Sequence, residues 1–445
     1  MLSTLAARVT RVRHMTPAMA AATAVLLLAG LLAVAVHDGD GDTRLTTDRT
    51  TTTTATDLAN DEPVDPATDT TLAPVVGPAG PATTPTTSAP STTTTAPAPP
   101  VCQAGPASTI DSAGLWLVDV ADGRVRRVIG EGVETFTWSP DGKHLAYLAG
   151  PQEDRRLVVL DEPGASRTVY DGSPVRAFAW TADSARLVVA VRSAEDHDSI
   201  VTVPVAGGEA IDVHDLGSLV GDLEVRPDAS VVFTDGGTLA VIDADGSNRR
   251  NLIAATGGRA VHTIAVSPDG KLVAYTDGSK FGVLTITTGA VKELGSSSSP
   301  GRPLAWSSDS ARVAFVPVQG GRPMGVVVRP DGSEARTVGP GADSFGLAPN
   351  GKELGWVATA TSTLTATDTA IGRERVVGKD MWQPTWAPDS GSMAVYAKVA
   401  GEARPALCLV GVGTRRVAQL KGNAAPFSAL AWSPSGATLA FASLA

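Results

Sequence analysis

The stretch FTWSPDGKHLAY, residues 136–147, is the first of eight related segments in this chain. Each segment places a short apolar run before Ser-Pro-Asp-Gly or a related tetrapeptide, and a second apolar run after it. Proline presets φ at the second turn position, Asp or Asn suits the third, and Gly accepts the left-handed conformation that closes a hairpin with a bulge. Each segment therefore predicts a strand, a turn and a second strand. The other seven are FAWTADSARLVV, LEVRPDASVVF, IAVSPDGKLVAY, LAWSSDSARVAF, FGLAPNGKELGW, PTWAPDSGSMAV and LAWSPSGATLAF.

One residue in each repeat, two positions before the proline of the first repeat, serves as the reference position. These residues follow one another at intervals of 39 to 46, which is the period of a four-stranded propeller blade. Helical repeats of similar length are disfavoured, because a turn of this kind in every repeat would break the helices. The reference residues are Trp138, Trp180, Val225, Val266, Trp306, Leu347, Trp386 and Trp432.

A second hairpin lies between successive segments, with a glycine at each turn. The glycines are Gly123, Gly164, Gly207, Gly246, Gly289, Gly332, Gly372 and Gly413. The repeated region opens with a second hairpin, residues 115–129, and closes with a first hairpin, residues 430–441. If these two half-blades share one sheet, the ring closes without a free sheet edge. The sequence thus predicts an all-β fold, an eight-bladed β-propeller of four-stranded blades closed by its N-terminal and C-terminal hairpins.

The recurring large residues have a simple structural explanation. A single blade has too little core to be stable alone, so it must bury both faces against neighbours. Trp at five reference positions and aromatic residues on the second strands are predicted to fill those interfaces, since such rings bury large apolar areas. The second-strand aromatics are Tyr147, Phe233, Tyr275, Phe315, Trp356 and Phe441.

The segments WSPDGKHLAY, VSPDGKLVAY and WSPSGATLAF, with strands that end in patterns such as VIDADG, resemble the repeats of TolB-like periplasmic β-propellers, relatives of the WD-repeat family. The resemblance covers residues 115–443. It implies a propeller that acts as a binding platform or an accessory domain. The Gly-His and Trp-Asp pairs of true WD repeats are missing, so the His-Asp network of that family is not carried over. The amino-terminal domain of TolB is missing too, and its partners are not implied.

The N-terminal region predicts export. A basic segment, residues 1–16, precedes an uncharged apolar run at residues 17–36 that is long enough to cross a bilayer, and its arginines favour a cytoplasmic N-terminus. The expected product is a single-pass protein of the cell membrane whose propeller, residues 102–445, is extracytoplasmic. The alternative is a signal peptide cleaved after Ala35, which would secrete the protein.

Residues 37–101 are rich in Thr and Pro and contain no aromatic residue, so they predict a disordered linker. Thr/Pro tracts outside the cell are also candidate O-glycosylation sites, and an unmodified spacer is the alternative. The two cysteines, Cys102 and Cys408, are predicted to form a disulfide in this oxidising compartment. The alternative is a buried, apolar Cys408 and an unpaired Cys102.

Charge and motifs limit the function. The net charge is -10, of which the 31 basic and 37 acidic residues after position 101 contribute -6, and basic runs are missing, so nucleic acid is not an expected partner. The nucleophile elbow, the P-loop, the paired His of zinc sites and the dinucleotide fingerprint are missing, and no cofactor is predicted. The turn DADGSN resembles the start of a calcium loop but lacks its distant Glu, so an ordinary hairpin turn is favoured.

The loops between second and third strands, and those between blades, lie on one face of a propeller and vary most. Possible ligand-face residues there are Glu195, Asp196, His197, Asp198, Arg302, Met381 and Trp382. The alternatives are a solvated charged loop at residues 195–198 and a Trp382 packed between blades.

The predicted function is that of a membrane-tethered scaffold that binds a protein or cell-envelope component and performs no chemistry. One alternative is a lactonase-like hydrolase with a metal at the central pore, which would bring Asp, Glu, Asn or His side chains together from different blades. Another is an accessory or sensor subunit of an envelope complex.

Overall fold

The computed structural model describes residues 113–443, except 131–132, 134, 162–163, 194–196, 258, 297–303, 320–321, 359, 401–404, 415–416 and 422–428. Among the described residues, no helix has the length and apolar character of a membrane span. The predicted membrane segment at 17–36, the predicted linker at 37–101, and Cys102, Glu195, Asp196 and Arg302 lie outside them.

The described residues form 33 strands and one short 3-10 turn, Gln152–Asp154. The strands are β1 (Gly114–Asp119), β2 (Val125–Ile129), β3 (Phe136–Trp138), β4 (His144–Ala149), β5 (Arg156–Asp161), β6 (Ala165–Tyr170), β7 (Val175–Trp180), β8 (Arg186–Arg192), β9 (Asp198–Pro204), β10 (Ile211–Asp215), β11 (Val220–Val225), β12 (Val231–Asp235), β13 (Thr238–Ile242), β14 (Arg250–Ile253), β15 (Thr263–Val266), β16 (Leu272–Thr276), β17 (Lys280–Thr285), β18 (Val291–Ser296), β19 (Ala305–Trp306), β20 (Val313–Phe315), β21 (Val318–Gln319), β22 (Arg322–Val328), β23 (Arg336–Pro340), β24 (Ala342–Leu347), β25 (Glu353–Ala358), β26 (Thr363–Asp368), β27 (Glu374–Lys379), β28 (Met381–Trp386), β29 (Ser392–Ala397), β30 (Ala406–Gly411), β31 (Val417–Lys421), β32 (Leu430–Trp432) and β33 (Thr438–Ser443).

These strands make eight antiparallel sheets, which are the blades of a propeller. Blades 1 to 7 consist of β3–β6, β7–β10, β11–β14, β15–β18, β19–β23, β24–β27 and β28–β31, in that order. Blade 5 carries one additional short strand, β21, which pairs with β22. Blade 8 combines β32 and β33 with β1 and β2. The predicted eight-bladed, all-β architecture is confirmed.

The ring closes through hydrogen-bonded strands from opposite ends of the repeated region. Strand β1 pairs antiparallel with β33 along its whole length, from Gly114 opposite Ser443 to Asp119 opposite Thr438. Trp116 and Phe441 are register partners in the middle of this ladder. The predicted closure by the two terminal hairpins is therefore confirmed, and it removes the sheet edge that β1 would otherwise expose.

The hydrophobic core lies in the seams between blades. Eight clusters of buried side chains occur among the described residues, and each combines two neighbouring blades. Alternation along a strand explains this arrangement, because successive side chains point to opposite faces. In β12, Val231 and Phe233 pack in the seam with blade 2, and Val232 packs in the seam with blade 4. Strands buried on both faces need apolar residues at consecutive positions, which is why the repeats read VVF, VAF and LAY.

In five of the eight blades, a tryptophan at the reference position links the blade to the one before it. Every one of the five indole N–H groups donates to the main-chain carbonyl one residue before the preceding blade's reference position. The pairs are Trp138 with Ala431 at 3.1 Å, Trp180 with Thr137 at 3.2 Å, Trp306 with Ala265 at 2.9 Å, Trp386 with Gly346 at 2.7 Å and Trp432 with Thr385 at 3.1 Å. These residues are structural, as the repeat pattern predicted.

The Ser-Pro-Asp-Gly turn owes its recurrence to a local hydrogen-bond network. In blade 1, Ser139 Oγ donates to Asp141 Oδ1 at 2.7 Å and accepts the His144 amide at 3.0 Å. The hydrogen bond from Ser139 is the largest influence on the Asp141 carboxylate and lowers its pKa to about 2. Gly142 has φ +72°, which few other residues tolerate at low cost. The motif is therefore a turn-forming device and not a ligand site.

Candidate functional site at the central channel

The first strands of neighbouring blades contact one another, as β11 does with β7 and with β15, so they form the inner ring of strands around the central channel. Directly before the reference position, seven of the eight first strands carry a small residue, and only blade 3 carries a long acidic one. The eight residues are Thr137, Ala179, Glu224, Ala265, Ala305, Gly346, Thr385 and Ala431. Blade 3 also places Asp222 two residues before Glu224, on the same side of β11. The two carboxyls form the candidate site.

Both carboxyls reach from blade 3 to the first strand of blade 4. The Ile264 amide donates to Asp222 Oδ2 at 3.1 Å, and the Val266 amide donates to Glu224 Oε2 at 3.3 Å. The second oxygen of Asp222 accepts the amide of Leu223 at 3.0 Å. We call this pair of carboxyls, with the two amides of β15, the acidic seam.

The two amides belong to the free inner edge of β15. The Ser267 amide donates to the Leu272 carbonyl on the side of β16. Because amides alternate in direction along a strand, those of Val266 and Ile264 point away from β16 and toward the channel. The carboxyls therefore cap an edge that would otherwise bond only to water.

The acidic seam also lacks the tryptophan link. Val266 occupies the reference position of blade 4, so no indole can donate to the main-chain carbonyl of Glu224. A small side chain at the reference position leaves room for a long one on the facing strand. In the five seams with a tryptophan link, the residue that provides the carbonyl is Ala, Gly or Thr. In this seam, two carboxyl–amide bonds stand in place of one indole–carbonyl bond.

Burial is the main influence on the protonation of this pair. Burial raises the pKa of Asp222 to about 6, and the amides of Ile264 and Leu223 act in the opposite direction. Burial, and next the charge of Asp222, raises the pKa of Glu224 to about 8. Both residues are half-buried. Burial therefore favours the neutral form of both carboxyls, and more strongly that of Glu224.

A neutral carboxyl beside an ionised one can donate one hydrogen bond and accept others. Such pairs also suit general acid and base chemistry near neutral pH. Within the described part of the chain, no group of three or more His, Cys, Asp and Glu side chains is placed to hold a metal ion. Both acidic side chains of the acidic seam, Asp222 and Glu224, come from blade 3.

Asp198 occupies a different position from the one expected of a ligand-face residue. Its side chain is completely buried, and Arg176 Nε donates to its Oδ1 at 3.1 Å. The Val220 amide donates to its other oxygen at 2.9 Å and so ties blade 2 to blade 3. Burial raises the pKa of Asp198, although Val220 and the two nearby arginines, Arg176 and Arg192, oppose this. Asp198, predicted as a possible ligand-face residue, is instead part of an internal blade-to-blade contact.

The other predicted ligand-face residues are distributed differently. His197 is half-buried, while Met381 is fully buried in the core between blades 6 and 7. Trp382 is partly buried and packs against the core between blades 7 and 8. Met381 is thus not available to a ligand, and Trp382 follows the alternative of packing between blades. The structure does not bring His197, Asp198, Met381 and Trp382 together into one site.

Two further sequence features have structural explanations. In the turn DADGSN, Asn248 Nδ2 donates to Asp243 Oδ2 at 2.8 Å, and the Ser247 amide donates to Asp245 Oδ1 at 2.9 Å, as in an ordinary hairpin turn. Cys408 is fully buried in β30 and is not a free thiol. Because Cys102 lies outside the described residues, its pairing with Cys408 stays a prediction.

Sequence reasoning missed Asp222 and Glu224, although both lie in or next to the quoted repeat LEVRPDASVVF. Aligning the eight repeats column by column would have found Glu224, since its column otherwise holds only Ala, Gly and Thr. The contact with blade 4 had no sequence signal, because it depends on which face of β11 meets the next blade.

Comparisons with known proteins show the fold. No protein-family model matches the sequence, and a search of curated proteins gave no match. Dipeptidyl peptidase 4 of Porphyromonas gingivalis superimposes with a TM-score of 0.52 at 9% identity, over 68% of this chain and 55% of that chain. The chain thus spans about half the length of that peptidase.

Two other solved structures are similar. Dihydro-heme d1 dehydrogenase NirN, in complex with DHE, gives a TM-score of 0.50 at 14% identity over 70% of this chain and 74% of that chain. TolB from Acinetobacter baumannii gives a TM-score of 0.37 at 16% identity over 70% of this chain and 64% of that chain. The propeller fold that the TolB-like resemblance implied is present in the structure, and no family match supports the repeat family itself. Because proteins of such different function share the fold, the fold alone does not indicate an activity.

Proposed function

We propose that this chain is a membrane-tethered, extracytoplasmic propeller that binds a protein or a cell-envelope component on its loop-rich face and performs no chemistry. The loop-rich face is the one formed by the loops between second and third strands and by the connections between blades. The turns of both hairpins lie on the opposite face, which we call the turn face. The proposed tether consists of residues 17–36 and the Thr/Pro-rich residues 37–101.

The observation that supports this proposal is the different construction of the two faces. At the turn face, the same bonds recur from blade to blade, such as the indole bonds of Trp180 and Trp306 and the Ser-Asp turns. At the loop-rich face the segments differ. Blade 1 has a 3-10 turn at Gln152–Asp154, and blade 5 extends a small hairpin through β21 and β22. Binding residues are commonly displayed on variable loops that a rigid scaffold positions.

The test is site-specific photo-crosslinking of the full-length chain in intact cells. A photoreactive side chain replaces Glu153, which is exposed on the loop-rich face, and in a matched variant it replaces Lys143, which is exposed on the turn face. We expect a discrete cross-linked product, identified by mass spectrometry, from position 153 and none from position 143. Products from position 143 alone, or from neither position, would contradict the proposal.

A hydrolase is the second candidate, because Asp222 and Glu224 provide an acid and a base at the channel. The lactonase-like alternative expects side chains from several blades, whereas the acidic seam takes both from blade 3. Incubation of the full-length chain with a panel of lactones and esters tests it. Hydrolysis that falls at least about a hundredfold in both Glu224→Gln and Asp222→Asn would favour this candidate. A fixed co-purifying complex would instead favour the accessory-subunit alternative.

A further inference from the structure

A cluster of charged side chains lies at the loop-rich end of blade 2. Arg192 ends β8 and Asp198 begins β9, so both border the connection at residues 193–197, which belongs to the loop-rich face. Arg176 lies near the start of the inner strand β7, at the same end of the blade. Its Nε atom donates to Asp198 Oδ1 at 3.1 Å. The cluster therefore lies on the face that carries the proposed binding function.

All three side chains point toward blade 3. Val188 and Ala190 of β8 pack in the core between blades 2 and 3, and Arg192 follows them on the same side of the strand. Asp198 is the register partner of Arg192, so these two side chains share that side of the sheet. The hydrogen bond to Asp198 places Arg176 there as well. At the loop-rich face, the hydrophobic core of this seam thus ends in two arginines and one aspartate.

The two arginines bring more hydrogen-bond donors than the cluster has acceptors. Arg192 acts on Asp198 through its charge but forms no ion pair within the described part of the chain, and its Nε atom is buried without a hydrogen-bond partner. Arg176 uses Nε for Asp198, while its Nη2 atom is buried and also unpartnered among the described residues. The other oxygen of Asp198 accepts the Val220 amide at 2.9 Å. Both arginines are only half-buried, so the rest of each guanidinium group reaches solvent.

The formal charges of the cluster do not balance. Two guanidinium groups and one carboxylate leave one net positive charge, and Asp198 is completely buried. Asp215, another acid at this end of the blade, accepts the hydroxyl groups of Ser193 and Ser199 instead. Buried or half-buried charges are stable when they are paired and hydrogen-bonded. The cluster therefore suits a ligand group that carries one negative charge and accepts hydrogen bonds.

We propose that Arg176 and Arg192 bind a carboxylate group of the partner at the loop-rich end of the seam between blades 2 and 3, and that Asp198 positions Arg176 for this contact. A carboxylate carries one negative charge, so it balances the cluster, and its two oxygens match the planar fork of a guanidinium group. A phosphate dianion would leave the cluster with a net negative charge. The site rests on the proposed binding function and specifies the chemical class of the group that is bound.

Arginine modification of the full-length chain tests the site directly. Phenylglyoxal reacts with accessible guanidinium groups, and peptide mapping by mass spectrometry gives the modification rate of each arginine. Acetate at about 0.1 M, which fills even a millimolar site, is compared with chloride at the same ionic strength. We expect acetate to slow the modification of Arg192 at least about threefold, as occupancy of about two-thirds of the sites requires.

Arg375 is the matched control for this measurement. Its Nε atom is also buried and unpartnered, but it is paired with an acid of its own, Glu353, at 2.7 Å, and it lies on the turn face. Acetate should change its modification rate less than about 1.5-fold. Equal protection of Arg192 and Arg375, or no protection of Arg192, would overturn the proposal. Stronger protection of Arg192 by inorganic phosphate than by acetate would overturn the assignment of a carboxylate.

A carboxylate from this chain is the competing occupant. Glu195 and Asp196 belong to the same connection and lie outside the described residues. If either of them fills the site, the double variant Glu195→Gln, Asp196→Asn should raise the modification rate of Arg192 at least about threefold without acetate. We expect an unchanged rate, and such a rise would overturn the proposal.

The contact with the partner is tested by cross-linking from position 153 in intact cells. Arg192→Gln should lower the yield of the cross-linked product about tenfold, since a charge-assisted hydrogen bond is lost, and Arg375→Gln should leave the yield unchanged. A missing product in the protein with both arginines intact contradicts the proposed binding function. A product whose yield is unchanged in Arg192→Gln contradicts the carboxylate site alone. If Arg192→Gln fails to fold, the acetate measurement, which needs no variant, still decides the question.

Discussion

Ser310 Oγ accepts the main-chain amide of Asp269 at 3.0 Å, and so joins the first-hairpin turns of blades 5 and 4. Ser310 has φ +60°, in the left-handed region where four of the eight repeats place a glycine. Ser184 and Ser390 repeat this arrangement with the amides of Asp141 and Asn350, at 3.0 and 3.1 Å. The unfavourable backbone of each serine is thus accompanied by a turn-to-turn hydrogen bond.

This relationship predicts different effects for two substitutions at one position. Ser310→Ala loses the hydrogen bond and keeps the strained backbone, and it should lower the free energy of unfolding by about 1 kcal/mol. Ser310→Gly loses the same bond but relieves a strain of about 1 kcal/mol, so it should be nearly neutral. Urea denaturation of both variants measures the difference.

Ala229 is the matched control for Ser310. It has φ +66° but no hydroxyl group, so Ala229→Gly should raise the free energy of unfolding by up to about 1 kcal/mol. If Ser310→Gly is as destabilising as Ser310→Ala, or if Ala229→Gly is destabilising, backbone strain is not what distinguishes these turns.

The tryptophan links predict a cost for removing a single N–H group. Trp306→Phe keeps an aromatic ring but leaves the Ala265 carbonyl without its indole donor, and should cost about 1–2 kcal/mol. Trp138→Phe removes the equivalent bond in a distant seam, so the double variant should show additive losses within about 0.5 kcal/mol. Chemical denaturation of the two single variants and the double variant provides the comparison. Strong non-additivity would mean that the two seams are energetically coupled through the ring.

The buried ion pair predicts a large difference between two substitutions of Asp198. Asp198→Ala leaves Arg176 and the Val220 amide without their acceptor in a completely buried position, which should cost about 3–5 kcal/mol. Asp198→Asn keeps an acceptor for the Val220 amide and should cost clearly less. Thermal unfolding of both variants checks the order. Similar, small losses would show that the contact between blades 2 and 3 does not depend on this carboxylate.

At low pH, the turn aspartates should limit stability. Hydrogen bonds from Ser139 and Lys143 lower the pKa of Asp141 to about 2, so its stabilising contribution is present above pH 4 and is lost as pH falls toward 2. Asp141→Asn should therefore be less stable than wild type at pH 7 and should lose less stability between pH 4 and pH 2. Parallel pH-dependent urea curves for the two proteins would contradict this assignment.

Most of the fold could be predicted from the repeat pattern, because the residues that form a hairpin turn are adjacent in the sequence. A turn such as Ser139 to Gly142 is specified by four adjacent residues, and the closing pair of strands followed from the order of hairpins at the two ends. The ligand-face residues were less predictable. Asp198 lies in a charged segment that reads as a loop, yet the ladder with β8 continues to Asp198 and buries it opposite Arg192. The repeat alignment marks Glu224 as unusual in its column, but its contact with blade 4 depends on which face of β11 meets the next blade, and no local pattern reports that.

Phe441 provides the sharpest test of ring closure. Its side chain is completely buried in the core between blades 7 and 8, and its strand supplies the ladder that holds β1. Phe441→Ala should lower the free energy of unfolding by about 3–5 kcal/mol through the cavity that it leaves. Phe315, 2% exposed in blade 5, is the matched control, since all the strands of its sheet come from one continuous segment.

Both substitutions should have a similar global cost, but only Phe441→Ala weakens the junction between the two ends of the repeated region. We therefore expect hydrogen exchange at β1 and β2 to accelerate in Phe441→Ala well before global unfolding, and to stay slow in Phe315→Ala. Strands β32 and β33 should accelerate together with β1, since all three share the broken ladder. If β1 exchanges at the same rate in both variants, the terminal sheet is not the weakest joint of the ring.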